Sequence, residues 1–427
     1  MDDPLSFADR SLRLLQELVD VDRLEIARVL QDVPVRLHIP SSDLARGAAA
    51  QATGATLTNV LVRSGMTVVL DLPEVAAVTP LLAGGSLADA LVALGESVNP
   101  GAVVNGATGD ADLVVAIADP SGARARRRLV VGTHERDCSF GAQVARWSPA
   151  DQTVAVGAGL LASGEIVRDA LRMLAPRGSW AKAALEPVLQ ATFTTPRLPA
   201  GRIDLGRVDV VSAGAVSDAL IWTIRARGSV FATGRVFDDG CYDRTNLNRY
   251  LTLDRGSAER EEPKGHRLAA NAPAGMVLEV VERRFGELDI AGAAPTIIVG
   301  ADDVAVRYIA QRANPQWLGI GATSHFEVRV TEHGPDEPCA GCAHPHLGQV
   351  PDAPIPTIAP VSGWAGFVLA LRLLRWASSR TFERAVAYQT FYPLTRPGIA
   401  EIGRAPWHPS CPIDERHRRR AMDLRGL

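Results

Sequence analysis

The 427-residue sequence has no excess of positive charge, few cysteines and no long apolar run, and each of these absences excludes a class of protein. The net charge of −3 excludes a general nucleic-acid binder, which would be basic. Lysine occurs only at positions 182 and 264, so nearly all of the 45 basic residues are arginines. Five cysteines are an odd number, which argues against a disulfide framework. No apolar run reaches the length of about 18 residues that a membrane span needs, and the acidic first residues do not match a signal peptide. We therefore expect a cytoplasmic protein that binds neither nucleic acid nor membrane.

Apolar residues, by contrast, are abundant, and their spacing predicts α/β structure. Hydrophobic residues make up 47% of the chain, and 427 residues are enough for two cores. Leucines at helical spacing predict a helix over 7–30, and alternation over 33–39 predicts a half-buried strand. A further helix is expected over 44–64, where Gly65 would end it. A second strand is expected over 66–73 and a later helix over 159–174. Strands separated by helices predict a mainly parallel sheet.

This pattern restarts after a proline-rich stretch, 176–207, which we expect to be a connector. A strand, a helix and a second strand follow within 207–240, and an apolar helix over 360–376 closes the second half. The repeated order predicts a diverged internal duplication with domains over 1–195 and 196–427. The alternative is that any two α/β domains share this order of elements.

The restart contains a turn that suits a phosphate group. The Ser-Ala-Gly residues at 212–214 lie between a strand and a helix, where free backbone N–H groups and the helix dipole attract an anion. Gly214 is the one glycine left of a Gly-x-Gly-x-x-Gly spacing, so the turn alone is weak evidence for a nucleotide. Polar and charged residues then follow at strand ends and between strands: Asp238, Asn246, Arg249, Lys264 and Asp302.

This set of residues, in this order and spacing, resembles the ThiF/MoeB/HesA superfamily of adenylating enzymes, which includes the ubiquitin-activating enzymes. The resemblance covers residues 205–415 and implies a Rossmann-like α/β fold with a mainly parallel sheet. It further implies that ATP and Mg²⁺ are held by Gly214, Asp238, Asn246, Arg249, Lys264 and Asp302.

The chemistry of each position is consistent with this resemblance. Asp238 would hold the ribose hydroxyls, as an acid at that strand end does in nucleotide-binding folds. Asn246, Arg249 and Lys264 would meet the triphosphate and stabilise the charge that develops during transfer. Asp302 would hold Mg²⁺, a hard cation that prefers carboxylate oxygen. We expect Arg249, Lys264 and Asp302 to be catalytic.

Two departures from the family's pattern predict weak or partly lost ATP binding. Ser212 stands where a glycine would permit positive φ and close approach of the backbone to pyrophosphate. The second acid that usually follows Asp238 is displaced, because Asp239 is adjacent and Gly240 takes its place.

Cysteine spacing near the C-terminus indicates a zinc site. Cys339 and Cys342 have the spacing of a zinc knuckle, and the resemblance implies a second pair, of which only Cys411 is present. We expect His408 to be the fourth ligand, because neutral imidazole suits zinc better than a lone carboxylate. The alternatives for that ligand are Asp414, His344 and His346.

A cysteine nucleophile, by contrast, is missing from its usual place. Thioester-forming members of the superfamily carry that cysteine after the first pair, and the sequence has none between Cys342 and Cys411. We expect Cys138 and Cys241 to be structural or incidental. The sequence therefore supports adenylation without thioester transfer.

The first half lacks the motif residues, so we expect it not to bind ATP. Its first turn, 40–43, has no glycine, and no Asn-Leu-Asn-Arg segment follows Asp71. In family dimers, an arginine on a helix before the first strand of one subunit reaches the active site of the other. Arg13, or alternatively Arg10, has that place here, which predicts an internal pseudo-dimer with one working site. The other interpretation is that both arginines only solvate an amphipathic helix.

Taken with the resemblance, these observations predict an adenylyltransferase. It would activate the C-terminal carboxylate of a ubiquitin-like or sulfur-carrier protein, or of a precursor peptide, and release pyrophosphate. The alternative from another class is an ATP-impaired protein that binds a leader peptide or partner in ribosomal peptide modification. A nicotinamide oxidoreductase is a third interpretation, disfavoured by the single glycine and the unexplained Asn-Leu-Asn-Arg segment.

Overall fold

The computed structural model describes residues 8–106, 111–121, 125–143, 146–148, 151–175, 180–335, 337–343, 356–382, 388–404 and 406–416. Among these residues, no helix combines the length and the apolar content that a membrane span requires.

The first half contains the first sheet and the helices around it. In chain order its elements are α1 (Asp9–Val19), α2 (Arg23–Asp32), β1 (Val35–His38), α3 (Ser42–Ala45), α4 (Ala48–Arg63), β2 (Val68–Asp71), α5 (Leu87–Glu96), β3 (Val103–Asn105), β4 (Ala111–Ile117), β5 (Ala125–His134), β6 (Asp137–Gly141), α6 (Gln152–Arg172), α7 (Trp180–Ala184) and β7 (Gln190–Thr194).

The second half contains the second sheet. Its elements are β8 (Ile203–Val211), α8 (Ala215–Arg227), β9 (Val230–Phe237), a 3₁₀ turn (Arg244–Asn246), α9 (Arg255–Glu259), α10 (Lys264–Asn271), β10 (Met276–Val281), a 3₁₀ turn (Glu287–Gly292), β11 (Thr296–Val299), α11 (Val304–Arg312), β12 (Trp317–Ser324), β13 (Glu327–His333), α12 (Ala340–Ala343), α13 (Ala359–Ser379), β14 (Tyr388–Tyr392) and β15 (Arg396–Gly403).

The two sheets share one strand order, and the prediction of mainly parallel α/β architecture is confirmed. The first sheet runs β3-β2-β1-β4-β5-β6-β7, and the second runs β10-β9-β8-β11-β12-β13-β14-β15. In both sheets the first five strands are parallel neighbours and the remaining strands pair antiparallel. The second sheet therefore repeats the topology of the first with one strand added, as a duplication would produce.

The prediction of one continuous helix over 7–30 is wrong, because the chain forms two helices there, α1 and α2. α1 ends where Asp20 adopts left-handed backbone with φ 54°, and the N–H of Asp20 donates to the carbonyl of Gln16. α2 then begins after Asp22, whose carboxylate accepts the N–H of Leu24 at 2.8 Å. Short acidic residues favour both of these conformations, and they break a leucine pattern that looks continuous.

Two further helix boundaries differ from the predictions. The helix expected over 44–64 is present as α4, which follows the single turn α3 and ends before Gly65 at φ 87°. The helix expected over 159–174 starts earlier, because Asp151 caps α6 by accepting the N–H of Thr153 at 2.9 Å.

The stretch predicted as a connector, 176–207, is partly structured. It contains α7 and β7, which pairs antiparallel with β6 from Gln190 to Thr194, and β8 begins at Ile203. The prolines suggested a connector, but Pro187 and Pro196 flank this strand and do not interrupt it. Thr192 and Phe193 are residues that fit a half-buried pleated surface.

The halves pack through their central helices into a common core. A single cluster of buried apolar residues includes members of both sheets and of α4, α6, α8 and α13. A Cβ on Gly157 of α6 would lie 2.4 Å from the ring of Phe367 on α13, so only glycine permits this approach. The indole N–H of Trp222 donates to Thr56 Oγ1 at 3.2 Å, which adds a buried polar link between α8 and α4.

Candidate functional site

The motif residues gather at one edge of the second sheet. β8 and β11 are neighbours, but the chain continues from β8 to β9 on one side and from β11 to β12 on the other. In open α/β sheets, the crevice beyond the carboxyl ends of two such strands is where ligands bind. The turn 212–214 follows β8, and Asp302 follows β11, so both stand at this crevice.

The turn after β8 leads directly into the N-terminus of α8 and contains one glycine, Gly214. Ser212 adopts φ 73°, a conformation that favours glycine and typically costs a non-glycine residue about 1 kcal/mol or more. Gly214 is the N-cap of α8, and no side chain caps that end of the helix. A Cβ on Gly214 would lie 3.3 Å from the carbonyl oxygen of Gly300, so the loops after β8 and β11 are in close contact.

Asp238 ties this turn to the end of β9. Its carboxylate accepts the N–H of Ala213 at 2.7 Å and the hydroxyl of Ser212 at 3.3 Å through Oδ2. Oδ1 accepts the N–H of Gly240 at 2.8 Å. Each carboxylate oxygen can accept more than one hydrogen bond, so the group is held in place while it retains capacity for a ligand hydroxyl.

Two cations of the motif meet at one aromatic ring. The guanidinium of Arg249 lies 5.4 Å and the Nζ of Lys264 lies 5.9 Å from the ring centroid of Tyr250. Tyr250 is 4% exposed, and both distances are within the range of cation–π contact. Tyr250 was not among the predicted site residues, although it directly follows the Asn-Leu-Asn-Arg segment.

Arg249 itself is largely buried, which affects its pKa. Burial lowers that pKa, and the positive charge of Arg10 adds to the effect. Its Nη1 donates to the carbonyl of Thr245 and to Oδ1 of Asn248, both at 2.8 Å, so its position is defined.

Asp302 lies within reach of these cations. Surrounding protein atoms raise the pKa of its carboxyl group, while the charges of Arg307, Arg249 and Lys264 act in the opposite direction. The residue is nevertheless accessible to solvent, as a carboxylate in a cleft would be. Arg307 is placed by Nη2 donating to the carbonyl of Ala301 at 2.9 Å.

Asn246 is buried and incompletely satisfied. It is 1% exposed, and its Oδ1 has no hydrogen-bond partner within the described residues. Burial raises the pKa of Asp243, but hydrogen bonds from Thr245 and from the Asn246 side chain outweigh this effect. The pKa of Asp243 is therefore lowered. A buried amide oxygen without a partner has a free-energy cost unless a ligand or water supplies a donor.

The two arginines considered on α1 are placed differently. Arg13 pairs with Asp9 at 2.9 Å, and its side chain is 65% exposed. Arg10 is close enough for its charge to lower the pKa values of Arg249 and Asp243. Of the two, Arg10 is therefore the one that the structure brings toward the motif residues.

The equivalent edge of the first sheet is bridged by a histidine. His38 at the end of β1 contacts Oδ2 of Asp71 at 2.8 Å through Nδ1, and the carbonyl of Ser121 at 3.0 Å through Nε2. Its side chain is 10% exposed. These contacts span β1, β2 and the loop after β4, which is where a ligand crevice would lie in this half.

Three of the four predicted zinc ligands form a buried cluster. The sulfur of Cys339 lies 3.8 Å from that of Cys342 and 3.4 Å from that of Cys411. These separations are too long for a disulfide, and they are close to the spacing of about 3.8 Å between thiolates on a tetrahedral zinc. A hydrogen bond with Cys339 lowers the pKa of Cys342, but the hydrogen bond with Cys411 and burial outweigh it and raise this pKa to about 11. A bound cation would favour the thiolate instead.

The fourth ligand is not among the groups in this cluster. The three thiols are the only His, Cys, Asp or Glu groups that converge in this way within the described residues. Nδ1 of His408 accepts the N–H of Ser410 at 3.1 Å, while Asp414 pairs with Arg416 at 2.8 Å. The alternatives His344 and His346 lie outside the described residues.

The two remaining cysteines differ in exposure. Cys138 in β6 is buried, and burial raises the pKa of its thiol well above the usual value. Cys241 is exposed, stands three residues after Asp238, and forms an isolated antiparallel backbone bridge with Pro263.

Comparisons with known proteins give structural matches without sequence matches. No protein-family model matches the sequence, and no curated protein matches it. E. coli MccB with ATP matches at a TM-score of 0.40 and 11% identity, covering 48% of this chain and 66% of that one. E. coli MccB with selenomethionine MccA matches at 0.39 and 12%, covering 58% and 73%. PaaA matches at 0.35 and 11%, covering 47% and 64%.

These matches do not assign a function to this chain. A TM-score of 0.40 is too low to establish a common overall fold. The matches to ATP-bound MccB and to PaaA also leave a third or more of those chains uncovered.

Proposed function

We propose that the second half binds ATP with Mg²⁺ and adenylates the C-terminal carboxylate of a peptide or of a small carrier protein. The observation that carries this proposal is that Arg249 and Lys264 both lie against the Tyr250 ring and that their charges act on Asp302, which stands at the crevice beside the uncapped N-terminus of α8. Two cations and a helix N-terminus suit a polyphosphate, and an accessible carboxylate suits its cation.

The positions of the other motif residues support the same ligand. Asp238 is fixed by Ala213 and Gly240 at the strand end that receives ribose hydroxyls in nucleotide-binding folds. The unpaired Oδ1 of Asn246 would gain a donor from a bound group.

In the proposed reaction, an oxygen of the substrate carboxylate attacks the α-phosphorus of ATP. The bond from that phosphorus to the bridging oxygen breaks, and pyrophosphate leaves with the electron pair. Arg249 and Lys264 would stabilise the negative charge on the transferring and leaving oxygens, and Arg10 would supply the arginine expected from the first half. Mg²⁺ held by Asp302 would neutralise charge on the phosphate oxygens.

We also propose that Cys339, Cys342 and Cys411 hold a structural zinc ion. Three buried thiols whose sulfurs all lie within 4.8 Å of one another are a donor set that zinc prefers. The ion would join the turn at α12 to the C-terminal segment, since Cys411 lies 69 residues beyond Cys342 in sequence.

The test of the adenylation proposal is exchange of labelled pyrophosphate into ATP, driven by synthetic peptides with a free C-terminal carboxylate or by a small carrier protein. We expect Asp302→Asn and Arg249→Ala to lower exchange by about 100-fold, the effect of removing a charge-stabilising group. Arg312→Ala, which breaks a surface ion pair with Glu287, is the matched control and should leave exchange unchanged. Unchanged exchange in Asp302→Asn and Arg249→Ala would contradict these roles.

A second candidate is a leader-peptide-binding protein that has lost ATP binding. The positive φ of Ser212 in a loop with one glycine favours it, because a Cβ there opposes close approach of pyrophosphate. Titration of the wild-type protein with ATP and Mg²⁺ separates the two candidates, since absence of binding would favour the second.

A further inference from the structure

The last helical residue of α4, Arg63, belongs to the first half but is buried against residues 247–253 of the second half, here called the motif segment. It is 1% exposed. Its guanidinium donates to the carbonyls of Leu247 at 2.7 Å, Leu251 at 3.2 Å and Leu253 at 2.6 Å. One side chain of the first half thus satisfies three carbonyls over seven residues of the second.

Asn59, one helical turn earlier, completes the arrangement. Its Nδ2 donates to the carbonyl of Leu251 at 2.7 Å, and its Oδ1 accepts Nε of Arg63 at 2.7 Å. The amide therefore contacts the same segment and also orients the guanidinium. Residues four apart on a helix share one face, so a single helix presents both groups.

The segment needs such donors because of how it folds. Residues 247–253 form turns with no helix or strand ladder to satisfy their carbonyls. The same segment carries Arg249 and Tyr250, and Asn246 immediately precedes it. The position of these side chains therefore depends on the backbone that Arg63 and Asn59 hold.

The charge of Arg63 and a contact between α1 and the motif segment are consistent with this role. Burial lowers the pKa of Arg63 to about 10, with Asp218 and Asp254 opposing the shift, so the group remains a cation at neutral pH. From α1, Ser11 Oγ accepts Nδ2 of Asn248 at 2.6 Å. Two helices of the first half thus hold this one segment of the second.

We propose that Arg63 and Asn59 are positioning residues for the motif segment, so that the first half orients Asn246 and Arg249 toward the nucleotide. The catalytic consequence rests on the proposed function, whereas the ordering of the segment does not. The first half, which lacks the motif residues, would thus position groups of a site that lies in the second half.

The experiment compares Arg63→Met with Arg227→Met in the full chain. Arg227 is the matched control, because it ends the helix α8, its side chain is 4% exposed, and it donates to the carbonyls of Pro199 and Gly201 and pairs with Asp151. We expect both variants to lower the melting temperature. Only Arg63→Met should speed hydrogen exchange of amides 246–253 and lower pyrophosphate exchange, by about 100-fold if the reacting groups are misplaced by about 1 Å.

Further variants keep the inference testable if Arg63→Met does not fold. Asn59→Ala removes one carbonyl contact and should shift both readouts in the same direction by less, while Arg63→Lys, which keeps the charge, should restore part of each. Unchanged protection of 246–253 in Arg63→Met or Asn59→Ala would overturn the inference, as would equal loss of protection in Arg227→Met. If the wild-type protein binds no ATP, the proposed function fails, and hydrogen exchange alone still decides the positioning role.

Discussion

The carboxylate of Asp238 accepts the backbone N–H of Ala213 at 2.7 Å, which fixes the end of β9 to the turn after β8. The same carboxylate accepts the N–H of Gly240 at 2.8 Å, so one side chain holds two loops of the candidate site. The order of both loops therefore depends on the same carboxylate that we propose to hold the ribose hydroxyls.

We predict that Asp238→Ala weakens ATP binding and also lowers stability. Loss of the carboxylate leaves two backbone donors without their acceptor, at about 1–3 kcal/mol for each donor that water does not reach. Asp238→Asn keeps an acceptor oxygen and should lower stability less. Calorimetric titration with ATP and Mg²⁺, together with thermal unfolding, measures both effects, and an unchanged affinity in Asp238→Ala would contradict ribose binding.

We predict that Ser212→Gly tightens ATP binding. Glycine adopts the observed φ of 73° without strain and removes the Cβ near the phosphate position. The free energy of unfolding should change by no more than about 1 kcal/mol, since relief of strain is offset by the lost hydrogen bond to Asp238 and by a more flexible unfolded chain.

Ser212→Ala serves as the control for that substitution. Alanine retains the Cβ at positive φ and lacks the hydroxyl, so it should bind ATP no better than the wild-type protein. Equal affinity of the wild-type, glycine and alanine forms would show that the turn does not approach the nucleotide.

We predict that Arg10→Ala lowers pyrophosphate exchange by orders of magnitude, as removal of an arginine that stabilises transition-state charge does. Arg10 acts electrostatically on Arg249 and Asp243, whereas Arg13 is exposed and paired with Asp9. Arg13→Ala should therefore leave the exchange rate nearly unchanged. A larger loss of exchange in Arg13→Ala than in Arg10→Ala would instead support Arg13 as the arginine that reaches the active site.

We predict that zinc is present at one ion per chain and is lost in Cys411→Ser. Elemental analysis of the purified protein and of this variant measures the content directly. Removal of the ion should destabilise the C-terminal segment, because three buried thiols would lose the cation that holds them together. His408→Ala tests the fourth ligand, and retention of zinc in that variant would exclude His408.

Several features could be predicted from the sequence because they depend on neighbouring residues. The strand ends, the helix that begins after Gly214 and the Cys-x-x-Cys turn are local, and hydrophobic spacing or a short motif indicates each of them. The order of strands and helices also indicated a repeat, which appears as a common strand order in the two sheets.

The tertiary structure alone decided which distant residues meet. Arg63 contacts a carbonyl 184 residues away, Asn248 contacts Ser11 across 237 residues, and Cys339 meets Cys411 across 72. Local composition carries no signal for such pairs, because the packing of the two halves brings them together. The same packing distinguishes Arg10 from Arg13, because the charge of Arg10 acts on Arg249 and Asp243, whereas Arg13 is exposed and paired with Asp9.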